Sequence, residues 1–195
     1  VTRQLIKASM DALRAEGKAP ATLNRYKAAL SSVFAYVCDE HDLKVNPCRE
    51  VKQLNEDNAR TRYLSENEIP LLLDSAKGSD WARMYLLVLM AITTGARRSE
   101  LIKLKWSDID FSTRSAHIAK TKNGDPRVLA LTDDVATELM KFREIGSGYV
   151  FPHPSALNAP FEYFDHLWQS VRTKAGIKNF HFHDLRHTCA SLLAM

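Results

Sequence analysis

Residues 181–191 read H-F-H-D-L-R-H-T-C-A-S. The stretch crowds three histidines and an arginine into two helical turns of a chain that has seven histidines in all. At helical spacing His183 and Arg186 are i and i+3, so both side chains project from one face about a turn apart. An imidazole and a guanidinium so placed make an anion clamp. Arg forks onto two phosphate oxygens, while His donates one hydrogen bond or passes a proton near neutral pH. The same letters also describe a polar helix start, with His181 or His183 capping and Leu185, Leu192 and Leu193 buried. Other stretches must decide between the two.

Working back from that helix, the order of elements is mostly helical with one change of period. Residues from Thr2 to Glu16 form an amphipathic helix that Gly17 ends. A second helix follows Pro20, with Thr22 as N-cap and Leu23, Tyr26, Leu30, Val33, Phe34 and Val37 as a buried stripe. Its polar face shows Asn24, Arg25, Lys27 and Ser31, either as a solvated surface or as a DNA-facing one, with Arg25 and Lys27 the candidate backbone contacts. Asn46-Pro47 marks a turn into a short helix through Val51 and Leu54. The polar run N-E-D-N-A-R-T-R at 55–62 is the best linker, which sets a boundary near Asp57 and divides the chain into 1–57 and 58–195.

Beyond it, Ser65 and Glu68 have the spacing of a capping box for a helix through Leu73 and Ala76. Trp81 to Thr93 is apolar nearly all round, so it reads as a buried central helix ended by Gly95. A further helix begins at Arg97. Ala116 to Lys120 and Arg127 to Leu131 are strand-like and flank Asn123-Gly124, a strong hairpin signal because both residues tolerate positive φ. A helix from Asp133 to about Ile145, a short Tyr149-Val150-Phe151 segment and a helix from about Pro160 to Lys174 lead back to the His183 turn.

Two further stretches bring cations to places that packing does not require. Thr94-Gly95-Ala96-Arg97 sets an arginine on the first turn after a glycine break, where backbone N–H groups also favour an anion. An Arg97 to Glu100 surface pair is the plain alternative. Arg98 is a second candidate for the part given to Arg97. Lys122, at a hairpin tip, would by itself be a solvated lysine.

Taken together these stretches resemble the tyrosine recombinase, or phage integrase, family. T-G-A-R-R-S-E-L at 94–101 with L-K-W-S-D-I-D at 104–110 is similar to the family's first-arginine box. T-K-N-G-D-P-R-V-L-A-L at 121–131 is similar to its hairpin lysine, and H-D-L-R-H-T at 183–188 to its His-x-x-Arg box. A-P-A-T-L-N-R-Y at 19–26 is similar to the helical DNA-clamping domain that precedes the catalytic one.

The resemblance implies a mainly α architecture with a small antiparallel sheet: a helical core-binding domain over 1–57, then a catalytic domain over 58–195, both truncated. It assigns Arg97 and Arg186 to the nonbridging oxygens of a scissile phosphate and His183 to hydrogen bonding and proton transfer. Lys122 would protonate the leaving 5′-hydroxyl, and Glu100 would orient a neighbouring side chain. The reaction needs neither metal nor ATP, because a 3′-phosphotyrosine conserves the energy of the broken linkage. The implied partners are double-stranded attachment sites, accessory DNA-bending proteins, and a homotetramer on synapsed DNA; this chain alone is expected to be a monomer. In the family the nucleophilic tyrosine follows the His-x-x-Arg box, whereas Tyr26, Tyr36, Tyr63, Tyr85, Tyr149 and Tyr163 all precede it. The expectation is therefore that the nucleophile lies beyond Met195 and that this chain binds DNA without cleaving it.

Composition agrees with a globular domain that meets a polyanion: 195 residues, 45% apolar, 26% charged, net charge +4. Cys38, Cys48 and Cys189 are odd in number and lack C-x-x-C spacing, against a disulfide framework and in keeping with a reducing bacterial cytoplasm. Met84 to Ile92 is too short to span a bilayer. Three other classes stay open. A metallohydrolase would use His183 and His187, although Arg186 between them repels a dication. A type IB topoisomerase shares the chemistry without site specificity. A catalytically silent DNA-binding regulator would keep only the fold.

Overall fold

A computed structural model describes residues 1–41, 45–56, 62–119, 125–143 and 148–194. The chain divides into two units, Val1–Arg60 and Thr61–Met195.

The first unit holds α1 (Arg3–Ala15) and α2 (Pro20–Glu40). Thr2 caps α1 by accepting the Leu5 N–H, and Gly17 leaves the helix with φ +86. Ile6, Met10, Leu23, Cys48 and Val51 form a small core, with Leu13, Phe34 and Leu54 packed against it. Four sequence expectations are corrected here. Thr22 does not cap α2: Pro20 occupies the first turn, where its missing N–H costs nothing, and Ala19 is the cap residue. Only Leu23 of the anticipated stripe is fully buried, while Tyr26, Leu30 and Val33 are exposed, because the small core covers little of a helix 21 residues long. The turn expected at Asn46-Pro47 forms over 47–50, where the Asn46 side chain takes the Cys48 N–H and donates to the Ser31 carbonyl, but no helix follows through Val51 and Leu54. Asn24, read as polar surface, is buried and clips the following segment by bonding both the N–H and the carbonyl of Leu54.

The second unit is built around α4 (Met84–Thr94), in which Met84 and every residue from Leu86 to Ile92 are buried. Such all-round apolarity needs neighbours on every side. They are α3 (Glu68–Lys77), α5 (Arg98–Ile102), α6 (Asp133–Lys141) and α8 (Asp184–Ala194). The strands β1 (Ile109–Asp110), β2 (Ser115–Ile118) and β3 (Arg127–Ala130) make an antiparallel sheet in sequence order, with Ala116 opposite Leu129 and Ile118 opposite Arg127. Asn123-Gly124 and Lys122 lie outside the described residues. The anticipated helix from Pro160 begins later, as α7 (Asp165–Lys174). Pro160 instead ends β5 (Ala156–Pro160), which pairs with β4 (Pro152–His153), and the Phe161 N–H is taken by the Phe151 carbonyl. The aromatic rings behind that hairpin interlock, Trp81 meeting Phe161 edge-on at 4.9 Å and Phe164 meeting Phe182 at 5.3 Å. No helix among the described residues is long and apolar enough to cross a membrane.

Two polar contacts fasten α8 and α3. The Thr188 hydroxyl, fully buried, donates to the Asp184 carbonyl and accepts the Leu64 N–H at 3.0 Å, 124 residues away in the chain. At the start of α3, Glu68 accepts the Ser65 N–H at 2.9 Å and pairs with Arg62, a hydrogen bond that holds its carboxyl down at about 2 in spite of partial burial.

Replacing Thr188 with Val keeps the volume but strands the Leu64 N–H, and urea unfolding should show a loss of about 1–3 kcal/mol. Because the folded-state pKa of Glu68 lies below its ordinary value of 4.5, the Arg62 pair contributes stability above that value and loses it as pH falls toward about 2. Melting curves of the protein and Glu68→Gln should accordingly differ at pH 7 and converge near pH 2.

Candidate phosphate-binding site

The site begins with a glycine. Gly95 ends α4 in the left-handed region, φ 59, where any Cβ is strained. A Cβ there would also stand 3.2 Å from Cys189 Sγ on α8. Glycine therefore serves twice, turning the chain out of the core helix and letting α8 approach the turn closely. Across that contact Arg186 Nη1 donates to the Gly95 carbonyl at 2.6 Å. Burial pushes the Cys189 thiol pKa up, against the pull of Arg186, so the sulfur is a packing group here.

Two residues after Gly95 the backbone of Arg97 is extended (φ -69, ψ 148) and caps α5. Glu100, in the first turn, accepts the Arg97 N–H at 2.8 Å and the Arg97 guanidinium at 2.9 Å. Its side chain is only 4% exposed against 30% for Arg97, so the contact is a partly buried ion pair on a buried acid and not the surface pair that spacing alone allowed. Burial opposes ionisation of Glu100, but hydrogen bonds from Arg97 and the charges of Arg127 and Arg97 outweigh it and hold the carboxyl below the ordinary range.

Arg98 is spoken for. Its guanidinium makes two bonds to Asp165, at 2.6 and 3.0 Å, donates to the Glu162 carbonyl at 2.5 Å and lies 4.2 Å over the Phe164 ring. Arg97 and Arg98 thus part company: one faces Glu100, and the other ties α5 to the segment entering α7.

His183 sits at the mouth of α8, exposed, with its ring edge-on to His187 at 5.6 Å. At the helix start the Asp184 carboxylate accepts the His181 N–H at 2.7 Å, while the His181 and His183 carbonyls accept the Asp184 and Arg186 N–H groups, so neither imidazole caps the helix. Arg97 and His183 line one cleft of about 580 Å³, together with Ser99, Lys103, Tyr163 and Arg98. Sequence patterning had not singled out Ser99 or Lys103. Tyr163, 80% exposed, is a surface aromatic on that rim. Among the described residues no group of three or more His, Cys, Asp or Glu side chains could hold a metal ion.

The missed residue is Arg127. It bonds Glu100 Oε2 at 2.6 Å, so one carboxylate serves two arginines. The signal was present in R-V-L-A at 127–130: alternation puts Arg127 on the same face as buried Leu129, with Val128 turned out at 60% exposure. An inward arginine needs an inward acid.

In the first unit Arg25 and Lys27 stand two residues apart on α2, so their side chains diverge. Arg25 is exposed, whereas Lys27 lines a groove with Ser31, Cys48 and Arg49.

The sequence profile of the phage integrase family matches residues 62–195. The integrase of Salmonella phage P22 is 29% identical over 207 aligned residues, which cover 94% of this chain and 52% of that protein. The type 1 fimbriae regulatory protein FimB of Escherichia coli K12 is 31% identical over 149, covering 71% of this chain and 74% of FimB. The chain spans about half the length of its phage relatives. Among solved structures, the Tn1549 transposon integrase in complex with transposon right-end DNA shares the fold, with a TM-score of 0.81 at 19% identity over the whole of this chain and 73% of that one.

Gly95→Ala should lower the melting temperature through both strains, worth about 1–2 kcal/mol for the φ alone. In a Cys189→Ala background the loss should shrink but not vanish.

Proposed function

Because the chain belongs to the phage integrase family, we propose that it is the DNA-binding and phosphate-activating part of a site-specific recombinase working through a 3′-phosphotyrosine. The observation that carries this reading is that Arg97 and His183 line a common cleft while Arg186 is bonded to the Gly95 carbonyl, two residues before Arg97.

In the proposed reaction a tyrosine hydroxyl attacks the scissile phosphorus, a P–O bond to tyrosine forms and the P–O5′ bond breaks. Negative charge grows on the two nonbridging oxygens as the phosphorane forms, and a guanidinium fork meets it at least reorganisation. Arg97 and Arg186 take those oxygens. His183, exposed at the cleft, hydrogen-bonds one of them and assists proton transfer. Lys122 gives its proton to the departing 5′-oxygen, so the leaving group departs neutral. Glu100 fixes Arg97 before the substrate arrives.

Residues 1–57 clamp the duplex, with Arg25 and Lys27 reaching phosphates from opposite flanks of α2. Membership of the family supports the proposed partners: duplex attachment sites, accessory DNA-bending proteins and, in the complete recombinase, a homotetramer on two synapsed duplexes. None of the chain's tyrosines stands in the context of the family nucleophile, so this chain by itself binds duplex DNA as a monomer without cleaving it.

Anisotropy titrations with a labelled duplex test the reading. Affinity should fall linearly in log–log form with salt, and Arg97→Ala or Arg186→Ala should each lower the slope by about one phosphate. On a nicked suicide duplex the chain should form no covalent adduct. Absence of duplex binding, or accumulation of an adduct, contradicts the proposal.

A further inference from the structure

We propose that Arg127 is a positioning residue that leaves a net positive charge around Arg97, toward the phosphate, by sharing the carboxylate of Glu100. The inference rests on the recombinase reading above and adds to it a residue outside the three motif boxes.

The geometry is a three-centre ion cluster around a buried carboxylate, with both arginine side chains 30% exposed. Glu100, 4% exposed in its side chain, offers Oε1 to Arg97 Nη1 at 2.9 Å and Oε2 to Arg127 Nη2 at 2.6 Å. Two guanidiniums and one carboxylate leave a net charge of +1 beside the cleft. Without Arg127, Arg97 and Glu100 would be an isolated pair of net charge zero. In an interior of low dielectric an approaching phosphate would then meet a dipole in place of a cation. A recombinase that uses Arg97 as an anion fork while anchoring it to an acid needs a second cation to cancel the anchor.

Arg127 fits that part better than a direct DNA contact. Strand alternation turns it inward with Leu129, and its Nε is buried without a hydrogen-bond partner among the described residues, so that edge faces protein. It is also the first residue of β3, opposite Ile118. The same ion pair therefore ties the start of β3 to α5.

The test compares duplex binding by the chain and by Arg127→Met, Glu100→Gln, the double variant and Arg127→Lys. Arg127→Met should bind roughly tenfold more weakly, the scale of one charged hydrogen bond, and its salt slope should drop by about one. Adding Glu100→Gln should restore the salt slope, because the two charges leave together while the amide oxygen still accepts from Arg97, and Arg127→Lys, which keeps the charge, should stay near the parent. In an Arg97→Ala background Arg127→Met should have no further effect.

A double variant with a salt slope as low as that of Arg127→Met would mean that Arg127 touches DNA itself and overturns the proposal. A melting temperature that falls while the salt slope stays put would mean a structural role only, and also overturns it. If Arg127→Met does not fold, Arg127→Gln, which keeps a hydrogen-bond donor without the charge, decides: it should bind as weakly as expected for Arg127→Met, and parent-like binding refutes the sharing. Failure of the parent chain to bind duplex sinks the recombinase reading instead, whereas binding without rescue sinks only the role of Arg127.

Discussion

The close passage of α8 over Gly95 is the constraint on which the second unit depends. A helix carrying His183 and Arg186 reaches the turn carrying Arg97 only because the residue between core helix and turn has no side chain. The contact replaces a Cβ with the Cys189 sulfur and puts an arginine donor on the Gly95 carbonyl, an oxygen that the end of α4 would otherwise leave to water. Packing and polar satisfaction are met by one geometry, and it is the geometry that joins two stretches almost ninety residues apart in the chain.

Charge is then allocated by what surrounds each arginine. Arg98 lies over an aromatic ring and grips Asp165 with both arms, so its charge is consumed in holding α5 to the rest of the wall. Arg97 shares its acid with Arg127 and keeps an excess. Neighbours in sequence thus have opposite duties, a distinction that a motif cannot express.

The fold was legible where periodicity and punctuation agreed. The all-apolar run before Gly95 became the buried central helix, the flanks of the hairpin became β2 and β3, and the Ser65 and Glu68 spacing became half of a capping box, Glu68 taking the Ser65 N–H while Asn67 is the cap residue of α3. It was least legible in the first unit, where helical period alone marked a buried stripe on α2 but burial needs a partner surface, and the small core reaches only Leu23 fully. Pro160 misled for a related reason: it is acceptable at a helix start, yet here it closes a two-stranded hairpin backed by Trp81, Phe151 and Phe161, a tertiary contact that local sequence does not announce. In the site, the three boxes named Arg97, Lys122, His183 and Arg186; the cleft that Arg97 and His183 share and the bond from Arg186 to Gly95 needed coordinates, and Lys122 lies outside the described residues. Arg127 was hidden because an arginine in a strand looks like surface until its register is known.

The hydrogen bond from the Leu64 amide to Thr188 has a kinetic corollary. The amide belongs to the residue with which the second unit's core begins, and its acceptor belongs to α8, the last described helix. That one proton is therefore shielded only while both ends of the unit are docked. Its rate of exchange with solvent reports the opening of α8, and any looseness in the segment arriving at Leu64 is felt directly by the helix that bears Arg186.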